Sequence, residues 1–235
     1  MSETILVTGA SAGFGQAICR RLVADGYRVI GSARRIDKLH ALQEELGEAF
    51  YPLQMDVTDL SQVDHALASL PKAWERVDVL VNNAGLALGL APAYEAEVAD
   101  WLTMIQTNIV GLTYLTRKIL PQMVERNDGY IINLGSTAGT VPYPGANVYG
   151  ASKAFVKQFS LNLRADLAGK KIRVSNIEPG LCEGTEFSSI RFKGDEKRVE
   201  ALYRGAHAIQ PEDIANTVAW LIQQPKHVNV NRIEI

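Results

Sequence analysis

Short apolar segments and longer amphipathic segments alternate along the whole chain. The apolar segments, of which Phe50–Met55 is the weakest, are Thr4–Thr8, Arg28–Gly31, Phe50–Met55, Asp78–Val81, Tyr130–Leu134, Ile172–Ile177 and Val228–Ile235. They are rich in β-branched residues and have the length of strands. The segments between them carry apolar residues at helical spacing, as Ile18 and Leu22 do between Phe14 and Gly26. This alternation predicts right-handed βαβ units and an α/β fold in which helices cover both faces of a parallel sheet.

Other segments extend this pattern. Further helices are predicted over Ile36–Leu46, from Asp59 to the residue before Pro71, over Asp100–Arg126 and over Tyr149–Leu167. The segment Cys182–Arg204 is the least regular part of the chain, because it combines glycines with many charged residues. It predicts a long excursion above the sheet, and insertions in that place often carry binding residues.

Length and composition agree with a single α/β domain over residues 1–235. The net charge of −2 gives no electrostatic reason to expect nucleic acid or an anionic membrane as a partner. Cys19 and Cys182 have no metal-like spacing, and we expect no metal. The chain moves directly into its first predicted strand, which leaves no room for a signal peptide. We therefore expect a reduced, cytoplasmic protein.

The first predicted strand runs into a glycine-rich turn, T-G-A-S-A-G-F-G at positions 8–15, and a helix follows. Glycines at this spacing permit a tight turn, close approach of the backbone to a pyrophosphate, and docking of phosphate at a helix N-terminus. The predicted cofactor contacts are Gly9, Ser11, Gly13, Phe14 and Gly15. A turn that binds nothing is the alternative, but the position in the first βα unit favours a dinucleotide.

Two arginines, Arg34 and Arg35, follow the second predicted strand, and the next carboxylate is Asp37. NAD sites place an acidic residue here to bind the ribose 2′-hydroxyl. Guanidinium groups instead suit a 2′-phosphate, by charge and by the geometry of their fork. We therefore predict NADP(H) as the cofactor and expect Arg34→Ala to weaken NADP binding more than NAD binding. The alternative is that one or both arginines are ordinary surface cations.

Tyr149 and Lys153 stand four residues apart in Y-G-A-S-K, with Ser136 thirteen residues before the tyrosine. Residues at this spacing share one face of a helix. The pKa of a free tyrosine is about 10, and bringing it to 7 requires roughly 4 kcal/mol. An ammonium about 4 Å away supplies an energy of that order at an effective dielectric constant near 20. The three side chains therefore predict proton transfer to or from a carbonyl oxygen, although solvated helix residues show the same spacing.

The glycine turn, N-N-A-G at 82–85, Asn108, Ser136, and Tyr149 with Lys153 occur in one order and together resemble the short-chain dehydrogenase/reductase family across essentially the whole chain. The resemblance implies a Rossmann-like, doubly wound sheet of about seven parallel strands. It also implies that Tyr149 is the general acid or base and that Ser136 hydrogen-bonds the substrate oxygen. Lys153 would lower the pKa of Tyr149 and hold the nicotinamide ribose.

The resemblance assigns further residues. Asn108 would hold a water that links Lys153 to solvent. The implied cofactor contacts are Asp56 and Val57 beside the adenine, Asn83 and Gly85 along the cofactor, Tyr149 and Lys153 at the ribose, and Pro179, Gly180 and Thr185 over the nicotinamide and phosphates. Each has a simpler alternative: Asp56 could form a turn before a helix, and Asn108 could be a polar residue inside one.

A narrower resemblance rests on N-N-A-G-L-A-L-G, G-S-T-A-G-T-V-P-Y-P-G-A-N-V-Y-G-A-S-K and I-E-P-G-L-C-E-G-T-E-F-S-S-I-R-F-K-G-D. These stretches resemble bacterial NADP-dependent 3-hydroxy acid and serine dehydrogenases, which also reduce malonic semialdehyde, and the related sulfoacetaldehyde reductases. The implied substrates are short acidic aldehydes and the corresponding hydroxy acids. A small anion needs a cation, and Arg191 and Lys193 are the candidates on the predicted excursion. Tyr143 and Asn147 could add hydrogen bonds.

Two other functions stay open. One is reduction of another carbonyl class, such as ketones, pterins or acyl-carrier thioesters, although no concentrated basic run marks a carrier-protein surface. The other is a non-catalytic NADP-binding sensor, which would have no need for a complete proton relay. The long predicted helices Asp100–Arg126 and Tyr149–Leu167 carry more apolar surface than one sheet face needs, and the resemblance implies a homodimer or homotetramer built on them.

Overall fold

A computed structural model describes residues 3–235 of the chain. Its strands are β1 Thr4–Thr8, β2 Arg28–Ala33, β3 Phe50–Gln54, β4 Val79–Asn82, β5 Gly129–Leu134, β6 Ile172–Glu178 and β7 Arg232–Glu234. Its α-helices are α1 Gly13–Ala24, α2 Ile36–Leu46, α3 Leu60–Ala68, α4 Val98–Ile105, α5 Leu112–Arg126, α6 Asn147–Asp166, α7 Phe187–Arg191, α8 Glu196–Tyr203 and α9 Pro211–Gln223. Within the described range, seven parallel strands form one sheet in the order β3-β2-β1-β4-β5-β6-β7. The predicted fold class is therefore confirmed.

Two apolar layers sandwich this sheet. Successive side chains of a strand point to opposite faces. In β1, Ile5 and Val7 pack in the layer that contains Ile18 of α1, whereas Leu6 packs in the layer that contains Leu115 of α5. A strand that is buried on both faces reads as a continuous apolar run, which explains why periodicity located these strands so well.

The order of the strands reverses between β1 and β4, so the chain leaves these two strands in opposite directions across the sheet. A crevice opens outside the carboxyl ends of parallel strands at such a switch point, and ligands of open α/β sheets bind there. Every site residue predicted from the sequence lies on loops or helices that begin near those carboxyl ends or fold back over them.

The last strand covers Arg232–Glu234 and is therefore shorter than the predicted Val228–Ile235. The side chain of Asn229 accounts for the difference. It donates to the carbonyl oxygen of Val174 at 3.0 Å and accepts from the backbone N–H of Val174 at 2.7 Å. A side-chain amide thus replaces backbone pairing at the start of the predicted strand.

The predicted helix Asp100–Arg126 is also interrupted. A π-helical segment, Gln106–Gly111, joins α4 to α5. Such segments frequently occur at functional sites, and this one contains Asn108. Helical periodicity in the sequence does not register the extra residue of a π turn, so the interruption could not be predicted.

The excursion over 182–204 is more regular than predicted, because it contains α7 and α8. Lys193 and Gly194 both have positive φ, at 53° and 85°, and they end the first helix and turn the chain into the second. A five-residue helix is too short to show a period in the sequence.

The outer faces of α4 and α6 expose apolar side chains. These exposed side chains are Val98 and Leu102 of α4 and Phe155 and Leu161 of α6. The expected homodimer or homotetramer stays a prediction. Among residues 3–235, no helix combines the length and the apolar character that crossing a bilayer requires.

Candidate active site

A cavity of about 520 Å³ opens above the carboxyl ends of β1, β4, β5 and β6. Fifteen of the residues singled out from the sequence line it: Gly9, Ser11, Gly13, Phe14, Arg35, Asn83, Gly85, Ser136, Tyr143, Tyr149, Lys153, Pro179, Gly180, Thr185 and Arg191. They come from the loops that follow β1, β2, β4, β5 and β6 and from α1, α6 and α7. The fold therefore brings the predicted cofactor, catalytic and substrate residues to one place.

The glycine turn forms one wall of this cavity and fits a dinucleotide phosphate. Gly13 has a positive φ of 52°, and a Cβ at this position would lie 3.2 Å from the Thr185 side chain. Helix α1 follows Ala12, whose side chain cannot cap it, so the first amide groups of the helix are available to an anion. Asn83 donates to the carbonyl oxygen of Thr8 at 2.7 Å and so ties the loop after β4 to this turn.

Gly15 belongs to the turn but does not line the cavity. A Cβ at Gly15 would collide with the carbonyl oxygen of Gly9 and with the side-chain amide of Asn83. Its contribution is close packing of helix α1 against the turn, which is the role of one glycine in dinucleotide-binding turns.

Tyr149 and Lys153 lie on one face of α6, and both side chains are buried. The Lys153 ammonium is 5.9 Å from the centroid of the Tyr149 ring and donates a hydrogen bond to the carbonyl oxygen of Leu134 at 2.8 Å. The Ser136 hydroxyl accepts from the backbone N–H of Ala138 at 3.1 Å, which holds it at the start of a short 3₁₀ turn beside the tyrosine.

Burial dominates the protonation of this cluster. It raises the pKa of Tyr149 to about 12, while the hydrogen bond with Ser136 and the charge of Arg191 act in the opposite direction. Burial lowers the pKa of Lys153 to about 8. Lys153 is not among the groups that shift this pKa, so the lowering of the Tyr149 pKa by Lys153 stays a prediction. At pH 7 the phenol is protonated, as a general acid for carbonyl reduction must be.

Asn108 lies beneath the cavity rather than in its wall. Its side chain pairs with both backbone groups of Leu86, accepting from the N–H and donating to the carbonyl oxygen at 2.9 Å each, and donates to the Ser152 hydroxyl at 3.0 Å. A Cβ at Gly85 would lie 3.2 Å from the Asn108 oxygen and 3.3 Å from the Lys153 nitrogen, so a side chain at position 85 would crowd both groups. The bound water implied by the resemblance stays a prediction.

Asp56 and Val57 do not line the cavity. The Asp56 carboxylate accepts from the backbone N–H and the hydroxyl of Thr58, at 2.9 and 2.7 Å, and so forms a turn before α3. Val57 packs against Gly111 of the π-helical segment. The structure gives both residues a local structural role, and contact with an adenine stays a prediction.

The structure does not bring Asn147 into the site. Its side-chain oxygen accepts from the indole N–H of Trp101 and from the N–H of Val148, and its amide donates to the carbonyl oxygen of Ala91. Asn147 has a positive φ of 21°, a conformation that asparagine tolerates better than most residues. Its polar atoms fix the entry into α6, and contact with a substrate stays a prediction.

Arg191 extends from the end of α7 into the cavity and is buried. Its guanidinium carbon lies 5.3 Å from the Tyr143 ring centroid and 5.4 Å from that of Tyr149. Its Nε donates to the carbonyl oxygen of Gly89 at 3.3 Å, but in residues 3–235 its buried Nη2 has no hydrogen-bond partner. Lys193, the other candidate cation, pairs with Asp100 at 2.8 Å on the surface and lies outside the cavity lining.

The two arginines after β2 have different surroundings. Both are exposed, but Arg35 lines the cavity and donates to the Ser11 hydroxyl in the glycine turn, whereas Arg34 lies outside the lining. The sequence analysis missed Glu186, which pairs with Arg35 across the cavity rim at 2.8 Å. It also missed Phe187, whose ring packs on Tyr149 with centroids 5.8 Å apart. Both follow Thr185 directly, but no local pattern reveals their distant partners.

A glycine turn of the dinucleotide-binding type lies in one cavity with a partly buried serine and a buried tyrosine and lysine, and together they define an oxidoreductase that uses a nicotinamide cofactor. The short chain dehydrogenase family matches residues 3–196, and the chain belongs to this family.

Proteins of similar sequence and structure indicate the cofactor and the class of reaction. A probable NADP-dependent dehydrogenase of Haemophilus influenzae is 61% identical over 234 residues, covering 100% of this chain and 93% of that protein. NADP-dependent 3-hydroxy acid dehydrogenase YdfG of Salmonella typhi is 57% identical over 231 residues, covering 98% and 93%. The closed form of a serine dehydrogenase complexed with NADP⁺ superposes with a TM-score of 0.97 at 55% identity, covering 99% of this chain and 94% of that chain. The predicted family, enzyme class and NADP(H) cofactor are confirmed.

The contacts of Arg35 predict how the cofactor is selected. We expect Arg35→Ala to raise the Kd for NADPH by about 10- to 100-fold, the worth of a charge-assisted hydrogen bond, and to leave the Kd for NADH nearly unchanged. Arg34→Ala removes the neighbouring guanidinium, which lies outside the cavity, and is the matched control. Titration of each variant with both cofactors, followed by nicotinamide fluorescence, measures these constants. Equal losses for NADPH and NADH, or a larger effect of Arg34→Ala, would contradict the assignment.

Proposed function

We propose that this protein catalyses the reversible, NADP(H)-dependent interconversion of a short acidic aldehyde and the corresponding hydroxy acid. Malonic semialdehyde with 3-hydroxypropionate, serine-type 3-hydroxy acids, and sulfoacetaldehyde with isethionate all belong to this class. The names of the similar proteins, a 3-hydroxy acid dehydrogenase and a serine dehydrogenase, support a carboxylate rather than a sulfonate.

The buried guanidinium of Arg191 carries this proposal. A buried charge without a full set of hydrogen bonds is costly, and a native structure that contains one calls for an explanation such as a catalytic role or a bound anion or water. The unpartnered Nη2 lies in the same cavity as the Tyr149 phenol, and the guanidinium carbon is 5.4 Å from that ring. An anion held by Arg191 would therefore sit close to the reacting carbon, as it does in a three-carbon hydroxy acid. A ketone or a carrier-bound thioester would leave this cation unused.

The cavity residues divide the chemistry between them. The bound cofactor supplies a hydride to the carbonyl carbon during reduction. Tyr149 donates its proton to the carbonyl oxygen as the C–H bond forms, and the Ser136 hydroxyl donates a hydrogen bond to that oxygen. Lys153 is fixed by Leu134 and holds a positive charge near the phenol, which stabilises the phenolate left after transfer. In oxidation the same groups act in reverse, with Tyr149 as the base.

A comparison of substrates tests the proposal. We expect kcat/KM with NADPH to be about 30- to 150-fold higher for malonic semialdehyde than for propanal, a neutral aldehyde of similar size, because a charge-assisted hydrogen bond to Arg191 adds roughly 2–3 kcal/mol. Sulfoacetaldehyde measures the preference between the two acid groups. Equal or faster reduction of propanal would contradict an anionic substrate and would return the choice to another carbonyl class.

A further inference from the structure

Glu186 stands immediately before α7 at the rim of the cavity, and its carboxylate occupies the fork of Arg35. Arg35 Nη1 donates to Glu186 Oε1 at 3.2 Å, and Nη2 donates to Oε2 at 2.8 Å. This is a bidentate pair between residues that are 151 positions apart. It joins the excursion that carries Arg191 to the end of the second strand.

Arg35 also donates toward the glycine turn. Nε and Nη2 donate to the Ser11 hydroxyl, at 3.3 and 3.2 Å. One guanidinium therefore links the turn where a dinucleotide phosphate would dock to the segment that covers the cavity. The Arg35 pairing lowers the pKa of the Glu186 carboxyl, as Lys38 nearby also does, so the carboxylate is ionised near neutral pH.

A 2′-phosphate on the adenosine ribose would require the same guanidinium. Two anions cannot share one fork without repulsion, and Glu186 would have to move away or lose its hydrogen bonds to Arg35. The side chains of Arg35 and Glu186 are 43% and 51% exposed. Exposed pairs of this kind are weak, so a doubly charged phosphate can displace the carboxylate. NADH and other ligands without a 2′-phosphate make no such demand.

We propose that Glu186 is a specificity-determining residue that competes with the 2′-phosphate of NADP(H) for Arg35. It weakens the binding of phosphorylated cofactor and favours its release at the end of each turnover. It also holds the start of α7 near the glycine turn until the cofactor arrives. The inference concerns cofactor binding, so it stands or falls independently of which carbonyl compound is reduced.

Glu186→Gln tests the competition, because glutamine keeps the size of the side chain and removes its charge. We expect the Kd for NADPH to fall by about two- to fivefold at low ionic strength, the worth of an exposed ion pair, with the Kd for NADH unchanged. Calorimetric titration with 2′,5′-ADP and with 5′-AMP isolates the effect of the 2′-phosphate, and the same difference is expected there. In an Arg35→Ala background, Glu186→Gln should have no further effect.

Glu183→Gln is the matched control, because Glu183 lies in the same segment but pairs with Gln210 and not with Arg35. It should leave all four binding constants unchanged. Weaker binding of NADPH to Glu186→Gln would mean that Glu186 positions Arg35 for the phosphate, and the competition would be rejected. An equal gain for NADH and 5′-AMP would attribute the effect to a general opening of the cavity and would also overturn the proposal.

Discussion

Replacing Tyr149 with phenylalanine is expected to lower kcat for carbonyl reduction by about 10²- to 10⁴-fold, the usual contribution of a positioned general acid. The buried phenol is the proton donor in the proposed mechanism, and its pKa, raised to about 12 mainly by burial, keeps it protonated at neutral pH. Removing one oxygen atom leaves the carbonyl with the hydrogen bond of Ser136 but without a proton. Steady-state kinetics with NADPH and an acidic aldehyde measure the loss.

Cofactor binding should survive this change. The ring of residue 149 keeps its packing on Phe187, with centroids 5.8 Å apart, and its contact with the Arg191 guanidinium. Lys153 keeps its hydrogen bond to Leu134, so the position proposed for the nicotinamide ribose is undisturbed. We therefore expect the Kd for NADPH to stay within about twofold of the unmodified protein, because no charged contact is removed.

Tyr143→Phe is the control, since Tyr143 is a second phenol in the same cavity and also lies against Arg191, 5.3 Å from its guanidinium carbon. It should lower kcat by less than about tenfold, the worth of a single neutral hydrogen bond. If Tyr149→Phe retained more than about a tenth of kcat, or if Tyr143→Phe lost as much, the proton donor would have to be reassigned.

The sequence was sufficient to predict the fold class because the strands are buried on both faces. β1 and β4 consist almost entirely of apolar or β-branched residues, and β6 stays recognisable although buried polar residues interrupt it. The predicted bounds were wrong for the last strand, where the side chain of Asn229 replaces backbone pairing before β7. They were also wrong for the helix Asp100–Arg126, which is interrupted by a π turn around Asn108. Neither feature changes the hydrophobic pattern that predicts secondary structure.

The candidate site was predictable to the extent that it depends on local motifs. The glycine turn and the Tyr149–Lys153 pair are short patterns on single elements, and the structure places both in the cavity. The surroundings of Asn147 and Glu186 depend on partners more than 40 residues away, Trp101 for the first and Arg35 for the second. Such pairings are made by the fold, and a single sequence contains no local signal for them.

The same difference separates the two candidate cations of the excursion, which were equivalent in the sequence. The structure buries Arg191 against two aromatic rings in the cavity and pairs Lys193 with Asp100 at the surface. Of these two residues of the same charge, Arg191 is therefore placed to bind an anion in the cavity and Lys193 is not. Substitution of each one separates the contribution of a buried, partly unpaired guanidinium from that of general positive charge on the segment.

Arg191→Met is accordingly expected to lower kcat/KM for malonic semialdehyde by about 30- to 150-fold, mostly through KM, because a charge-assisted hydrogen bond worth roughly 2–3 kcal/mol is lost. Methionine retains an apolar stem to pack on Tyr143 and Tyr149. The rate with propanal should be unchanged or somewhat higher, since a neutral substrate gains nothing from the cation. Lys193→Met, which removes the exposed neighbouring charge, should leave both substrates unaffected.

The comparison of the two substrates distinguishes a loss of anion binding from general structural damage to the cavity. Arg191 also donates to the carbonyl oxygen of Gly89, so its loss could disturb the cavity as a whole. Damage of that kind would lower kcat/KM for malonic semialdehyde and propanal by the same factor, and such a result would contradict a role in anion binding. Partial recovery by Arg191→Lys, which restores a charge without the planar fork, would instead support it, because a point charge attracts the anion but cannot form two parallel hydrogen bonds.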